Sequence, residues 1–212
     1  MRPATARLHV LCSTTVFVSV VCSIPALAEC PTRASLAAGE PAYVAYPDGS
    51  IVDLRWLGDG RVQETTRFPD RTGEFRMVSV GGVFIVDEVD LDGETELDYS
   101  RITSTYPATL SAHVPLAANT EFAVAAVNSF ADGTPAEEEH ISVRTGGLAT
   151  IDIAGCPYEG FPVLITYRWG VESFTSMMTH LPDLGVSLEL ARMDQGADPE
   201  PFAPVWFDLD PP

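Results

Sequence analysis

The chemically richest stretch of this 212-residue chain is the acidic run Asp87-Glu88-Val89-Asp90-Leu91-Asp92-Gly93-Glu94-Thr95-Glu96. Acids at alternate positions ahead of a glycine can wrap oxygen ligands around calcium, and counted from Glu88 the third, fifth and sixth places fall on Asp90, Asp92 and Gly93. The twelfth place, where a bidentate acid would close the loop, is Tyr99, and the flanks read as strands. Asp90 and Asp92 stand as candidate calcium ligands of an adhesion or matrix module. The competing reading is a hairpin whose charged strands resist edge-to-edge pairing.

Outside residues 1–28 the histidines are His113, His140 and His180, and none has metal-ligand spacing or lies in a His-Glu-x-x-His arrangement. Glu137-Glu138-Glu139-His140 would place its members on opposite faces of an alternating strand. A secreted hydrolase could use carboxylates or a triad around His180 and Asp183, but no Gly-x-Ser-x-Gly elbow accompanies them. Paired carboxylates for glycoside hydrolysis are uninformative in so acidic a chain. Tyr167, Trp169, Trp206 and Phe207 offer another chemistry, a concave apolar site for a lipid or sugar, with a packed core as the alternative.

Composition narrows the classes further. Twelve arginines and no lysine stand against thirty acids, for a formal net charge of −18. Without lysine there is no Schiff base, no phosphate-loop lysine and no lysine general base. So negative a surface repels nucleic acid and anionic lipid, which leaves solubility as the use of the charge.

Residues 1–28 have the layout of a secretory signal peptide: basic Arg2 and Arg7, an apolar stretch from Leu8 to Ile24, and Ala26-Leu27-Ala28 as the cleavage site. A membrane anchor is the alternative, but Ser13, Thr14, Thr15 and Ser19 interrupt the apolar stretch and Pro25 follows it. No later apolar run is long enough to span a bilayer. Cleavage would remove Cys12 and Cys22, leaving Cys30 and Cys156 in an oxidising compartment, periplasmic or extracellular. A Cys30–Cys156 disulfide follows, worth about 4 to 5 kcal/mol on loop entropy alone. Lipidation of Cys30 competes with it; Leu27 and Cys30 suit such a site, while Glu29 puts a bulky acid where a small residue is wanted.

From Ala42 onward the chain alternates with period two between turn dipeptides, Asp48-Gly49, Asp59-Gly60, Gly81-Gly82, Asp92-Gly93 and Asp132-Gly133. Roughly eleven to thirteen short strands are expected, an all-β antiparallel sandwich or strongly curved meander sheet with little helix. Tyr106 to Leu116, with two prolines, reads as an edge or crossing loop. Glu121 to Phe130 reads as a strand, with helix as the alternative because of its alanines. Phe174 to Leu181 suits either a short helix or a strand. In Pro162 to Trp169 the residues Val163, Ile165, Tyr167 and Trp169 share one face, as in a central strand. Residues 29–212 make one acidic β-rich domain; the alternative divides it into 30–145 and 148–212, because Cys30-Pro31 and Cys156-Pro157 open similar segments.

The segment Tyr167 to Met193, with Thr179-His180-Leu181-Pro182-Asp183-Leu184-Gly185-Val186 between two apolar stretches, resembles the turn before a terminal hairpin in exported curved-sheet envelope proteins of Gram-negative bacteria. Lipoprotein-carrier-like folds, in which a curved sheet cradles acyl chains, have that shape. The resemblance implies an envelope setting and a sheet with a concave face. No functional residue carries over from it. The leader, the disulfide, the all-β pattern and the lack of a catalytic constellation lead instead to the expectation of an exported, non-enzymatic β-protein that binds an envelope partner or a small apolar ligand, with Tyr167, Trp169 and Trp206 as contacts and no resident cofactor.

Overall fold

The structure, a computed structural model, describes residues 29–212, and the signal peptide read at 1–28 lies outside the described residues. The described chain is all β apart from one short helix and two turns of 3-10 helix. In chain order the strands are β1 (Ala42–Ala45), β2 (Ile51–Gly58), β3 (Arg61–Arg67), β4 (Glu74–Val80), β5 (Phe84–Asp92), β6 (Thr95–Glu96), β7 (Ile102–Thr105), β8 (Glu121–Phe130), β9 (Glu137–Thr145), β10 (Ala149–Ile153), β11 (Cys156–Trp169), β12 (Glu172–Leu181), β13 (Val186–Asp194), β14 (Glu200–Pro201) and β15 (Trp206–Asp208). The helix α1 (Arg33–Ala37) starts at Thr32, whose hydroxyl accepts from the Ser35 amide while the Ser35 hydroxyl accepts from the Thr32 amide.

All strands belong to one antiparallel sheet with the spatial order β14-β13-β12-β11-β9-β8-β7-β5-β4-β3-β2-β1-β15. It is the curved meander among the two expected architectures. The expected turns form where positive φ was available: Asp59 and Gly60 close β2 onto β3, and Gly93 closes β5 onto β6. The alternation in β11 is real: Val163 and Ile165 are buried while Leu164 and Arg168 are exposed. β8 and β12 are strands, because Phe122, Val124 and Val127 in one, and Thr175, Ser176 and Thr179 in the other, outweigh helix-favouring neighbours. The two-proline segment after β7 folds as a 3-10 turn over Ala108–Ala112 that buries Leu110.

β11 is long enough to take β12 along one side and two partners along the other, β10 beside residues 156–160 and β9 beside 163–168. The break between those partners falls at Gly146-Gly147, and the Gly146 amide donates to the Pro162 carbonyl across it. A Cβ on Gly146 would lie 2.6 Å from the Pro162 ring, so the bend needs glycine. β11 itself runs past that break and is shared by β9 and β10.

The two ends of the meander curl toward each other. β14 closes on β13, β15 closes on β1, and only residues 202–205 lie between β14 and β15. Phe202 in that link stacks on Tyr46, with ring centres 4.6 Å apart. One core packs Val44, Leu54 and Val62 against Leu181, Val186, Leu188 and Phe207. The other packs Phe84 with Val124, Ile141, Val143, Phe161 and Ile165. The β4–β5 turn presses directly on the β12–β13 hairpin: a Cβ on Gly82, whose φ is +72°, would meet the Gly185 carbonyl at 2.9 Å. The Cys30–Cys156 disulfide forms as expected and ties the start of the described chain to β11. With that bond made, Cys30 has no thiol to carry a lipid.

Candidate functional site

Because the sheet curls, the inward faces of β2–β5 meet those of β11–β13 across a cavity of about 340 Å³. Tyr46, Phe68, Phe75, Phe174 and Phe202 supply rings to its wall, and Met77, Met178 and Val52 supply aliphatic surface. Glu64, Glu189 and Arg192 also face it. A second cavity of about 340 Å³ adjoins the first and shares Ile85, Tyr167 and Phe174 with it. Its own wall includes Glu88, Tyr106, Asn128, Phe130, Glu139 and Trp169. Together they make a two-lobed lumen with an aromatic waist, the concave, mostly apolar kind of site with a few polar groups that holds small molecules.

Strand register explains how acids came to face inward. Glu64 is opposite Met77, and Met77 is opposite Glu88, so the three side chains form one row across β3, β4 and β5. Residues directly opposite on antiparallel strands share a face. Strict alternation would put Ile85 and Glu88 on opposite faces, but the β4–β5 register shifts between Val78 and Ser79, and Val86 is the extra residue. That bulge turns both side chains into the lumen.

Electrostatics follow from enclosure. Burial and the neighbouring Glu189 push the Glu64 carboxyl up to about 7. Glu88 is likewise pushed up to about 7, by burial first and then by Glu139 and Asp87. Glu139 is raised by burial, with a hydrogen bond from Asn128 opposing the shift. Glu189 differs, since it pairs with Arg192 and accepts from the Ser176 hydroxyl at 2.9 Å. Arg192 in turn lies over the Phe202 ring at 4.0 Å. Glu64 and Glu88 accept no hydrogen bond and make no ion pair among the described residues, although both are held where a lone charge is costly. The phenols of Tyr46 and Tyr167 are raised by burial and by these acids. The Tyr106 hydroxyl donates to the Ile85 carbonyl at 2.9 Å.

Of the residues picked out from sequence, Tyr167 sits at the waist and Trp169 lines the second lobe, where its indole N–H donates to Glu172 at 2.9 Å. Trp206 lines neither lobe. It lies on β15 beside β1 and donates to the Asp210 carbonyl. Phe207 is fully buried in the first core. His180 is buried, its ring 5.1 Å from Phe161 and its Nδ1 2.9 Å from the Ser187 hydroxyl. Burial lowers its pKa to about 4. Asp183 stays exposed and makes no hydrogen bond to that ring, so the two do not form the acid–base pair a triad requires. His140 and Glu138 pair on the outside while Glu139 faces inward, the split that strand alternation dictates.

The acidic run on β5 is knit to arginines. Both carboxylate oxygens of Asp87 accept from one Arg101 nitrogen, at 2.7 and 2.8 Å, and Glu96 pairs with Arg76 and Arg101. Asp90 and Asp92 flank Leu91 at the end of that strand, and among the described residues no three His, Cys, Asp or Glu side chains converge as a metal site would require. The inward-facing Glu64, Glu88 and Glu189 escaped the sequence reading. For Glu64 the signal was an acid on the apolar parity of its strand, Val62-Gln63-Glu64-Thr65-Thr66; Glu88 follows the β5 bulge and Glu189 lies off the Val186, Leu188, Leu190 parity, so neither carried that signal.

No family model and no curated protein matches the chain. Among solved structures, the hypothetical lipoprotein YmcC from Escherichia coli K12 is similar at a TM-score of 0.39 and 13% identity, over 72% of this chain and 77% of that one. No residue or activity transfers at that level of likeness. No helix among the described residues is long and apolar enough to cross a membrane.

Proposed function

We propose that this is an exported, non-enzymatic β-protein of the cell envelope that binds a small amphipathic ligand inside its curved sheet. The observation that carries the reading is the lumen: two adjoining cavities of about 340 Å³ each, walled by aromatic rings, with unpaired carboxylates directed into them. A structural core would fill this space at crystal-like density and would not bury lone acids there. Export is supported by the leader-like residues 1–28 and by a disulfide, which persists in oxidising compartments.

The test is a titration of the mature protein with the neutral fluorophore N-phenyl-1-naphthylamine. Saturable, stoichiometric uptake is expected. Ile85→Trp, which pushes a large ring into the waist shared by both lobes, should abolish it while circular dichroism stays unchanged. No uptake by the wild type, or equal uptake by a folded Ile85→Trp variant, overturns the proposal.

A further inference from the structure

Glu64, Met77 and Glu88 face the lumen as one row across three adjacent strands. Two strand spacings separate the outer pair, about 10 Å between backbones. Each end of the row meets a second acid from elsewhere in the sheet: Glu189 of β13 lies near Glu64, and Glu139 of β9 lies near Glu88. Between the two acidic ends stand Met77 and the waist residues Ile85, Tyr167 and Phe174. The lumen is thus negative at both ends and apolar in the middle.

We infer that the lumen is built for a linear diamine or polyamine, its terminal ammonium groups seated at Glu64 and at Glu88 and its methylene chain lying along Met77 and the aromatic waist. The inference rests on the lumen being a binding site, and it adds the class of ligand. Three properties of the site argue for a cation over a neutral amphiphile. Glu64 is partly buried, faces the first lobe and accepts no hydrogen bond among the described residues, so its desolvation is uncompensated and an ammonium would offset it. The rings of Tyr46, Phe68 and Phe75 share that lobe and offer their negative faces to a cation. Arg192, the one basic group lining the first lobe, is engaged with Glu189 and Phe202, which leaves Glu64 for the ligand.

Proton linkage follows. Near neutral pH Glu64 and Glu88 of the empty site are partly protonated and to that extent uncharged, both being pushed up to about 7. The groups facing Glu64 are Glu189, Tyr46 and Arg192, and those facing Glu88 are Glu139, Tyr106 and Tyr167, with Asp87 next to it on the other face of β5 and paired with Arg101. None of them supplies an unengaged positive charge. A bound ammonium favours the ionised carboxyl at each end, so uptake releases protons.

The experiment is calorimetric titration at physiological ionic strength, in buffers of different ionisation enthalpy, with 1,8-diaminooctane, octylamine and 1,8-octanediol as probes. The diamine should bind more tightly than the monoamine and the diol, and its binding should release protons at pH 7. Glu64→Gln and Glu88→Gln should each weaken the diamine about tenfold or more, as expected for a lost charge-assisted contact. Glu159→Gln removes an exposed acid and the same net charge, and should leave affinity unchanged. A diamine no better than the diol, or an equal loss in Glu159→Gln, overturns the inference. If the neutral fluorophore still enters the wild type in that case, the binding reading stands and only the ligand class falls. If neither probe binds, both fall.

Discussion

Replacing Glu64 by Gln should stabilise the protein more the higher the pH. The carboxyl has an ordinary value of 4.5 and is raised to about 7 in the fold, by burial and then by Glu189. The folded form therefore holds its proton more tightly than the unfolded chain does. For such a group, stability is complete below the unfolded pKa and is lost as pH rises through the folded one. At about 1.4 kcal/mol for each unit, ionisation of Glu64 costs roughly 2 to 3 kcal/mol between pH 5 and pH 8. Glu88 pulls the same way over the same window. His180 opposes them, because its pKa is lowered to about 4 and its contribution is lost as pH falls from 6.5 toward that value. The raw pH profile therefore mixes several groups, Glu139 among them, and the difference between variant and wild type isolates one. Urea unfolding at pH 5 and pH 8, followed by circular dichroism, measures that difference. Glu64→Gln should gain about 2 to 3 kcal/mol on the wild type across the interval. A constant difference at both pH values would show that Glu64 is solvated and would refute the enclosed lumen.

Three further perturbations probe other parts of the structure. Gly82→Ala puts a Cβ within 2.9 Å of the Gly185 carbonyl at a φ of +72°, and should lower stability by about 2 kcal/mol or more, read as a falling urea midpoint. Replacing Cys30 and Cys156 by Ser opens a link spanning 126 residues and should cost up to about 4 to 5 kcal/mol, with the oxidised wild type brought to the same midpoint by reductant. Trp169→Ala should reduce fluorophore uptake in a protein that stays folded, whereas Trp206→Ala should leave uptake unchanged, since only Trp169 lines the lumen.

Local structure was largely legible. Asp59-Gly60 and Asp92-Gly93 marked hairpins because their backbones accept positive φ, and Val163 to Trp169 showed which face of β11 turns inward. The cysteine pair followed from the compartment and from there being two candidates left after the leader. Two things were not legible. Curling of the sheet depends on contacts far apart in sequence, such as Phe202 on Tyr46 and Gly82 against Gly185, which no window of alternation contains. The second is which of thirty acids face inward. At Glu88 the bulge at Val86 resets the parity, so a period-two reading assigns it away from Ile85, with which it lines one cavity. Trp206, an aromatic residue in the proline-rich tail, has its place set by pairing with β1 and lines neither lobe.

If the curved sheet holds a ligand, the ligand should leave the cell envelope with the protein. Native mass spectrometry of the protein recovered from its own cell envelope, beside Ile85→Trp recovered in the same way, tests it most directly. The expected result is an oxidised chain carrying one small molecule that leaves on denaturation, and a folded variant that comes out bare. A wild-type chain as bare as the variant would contradict it.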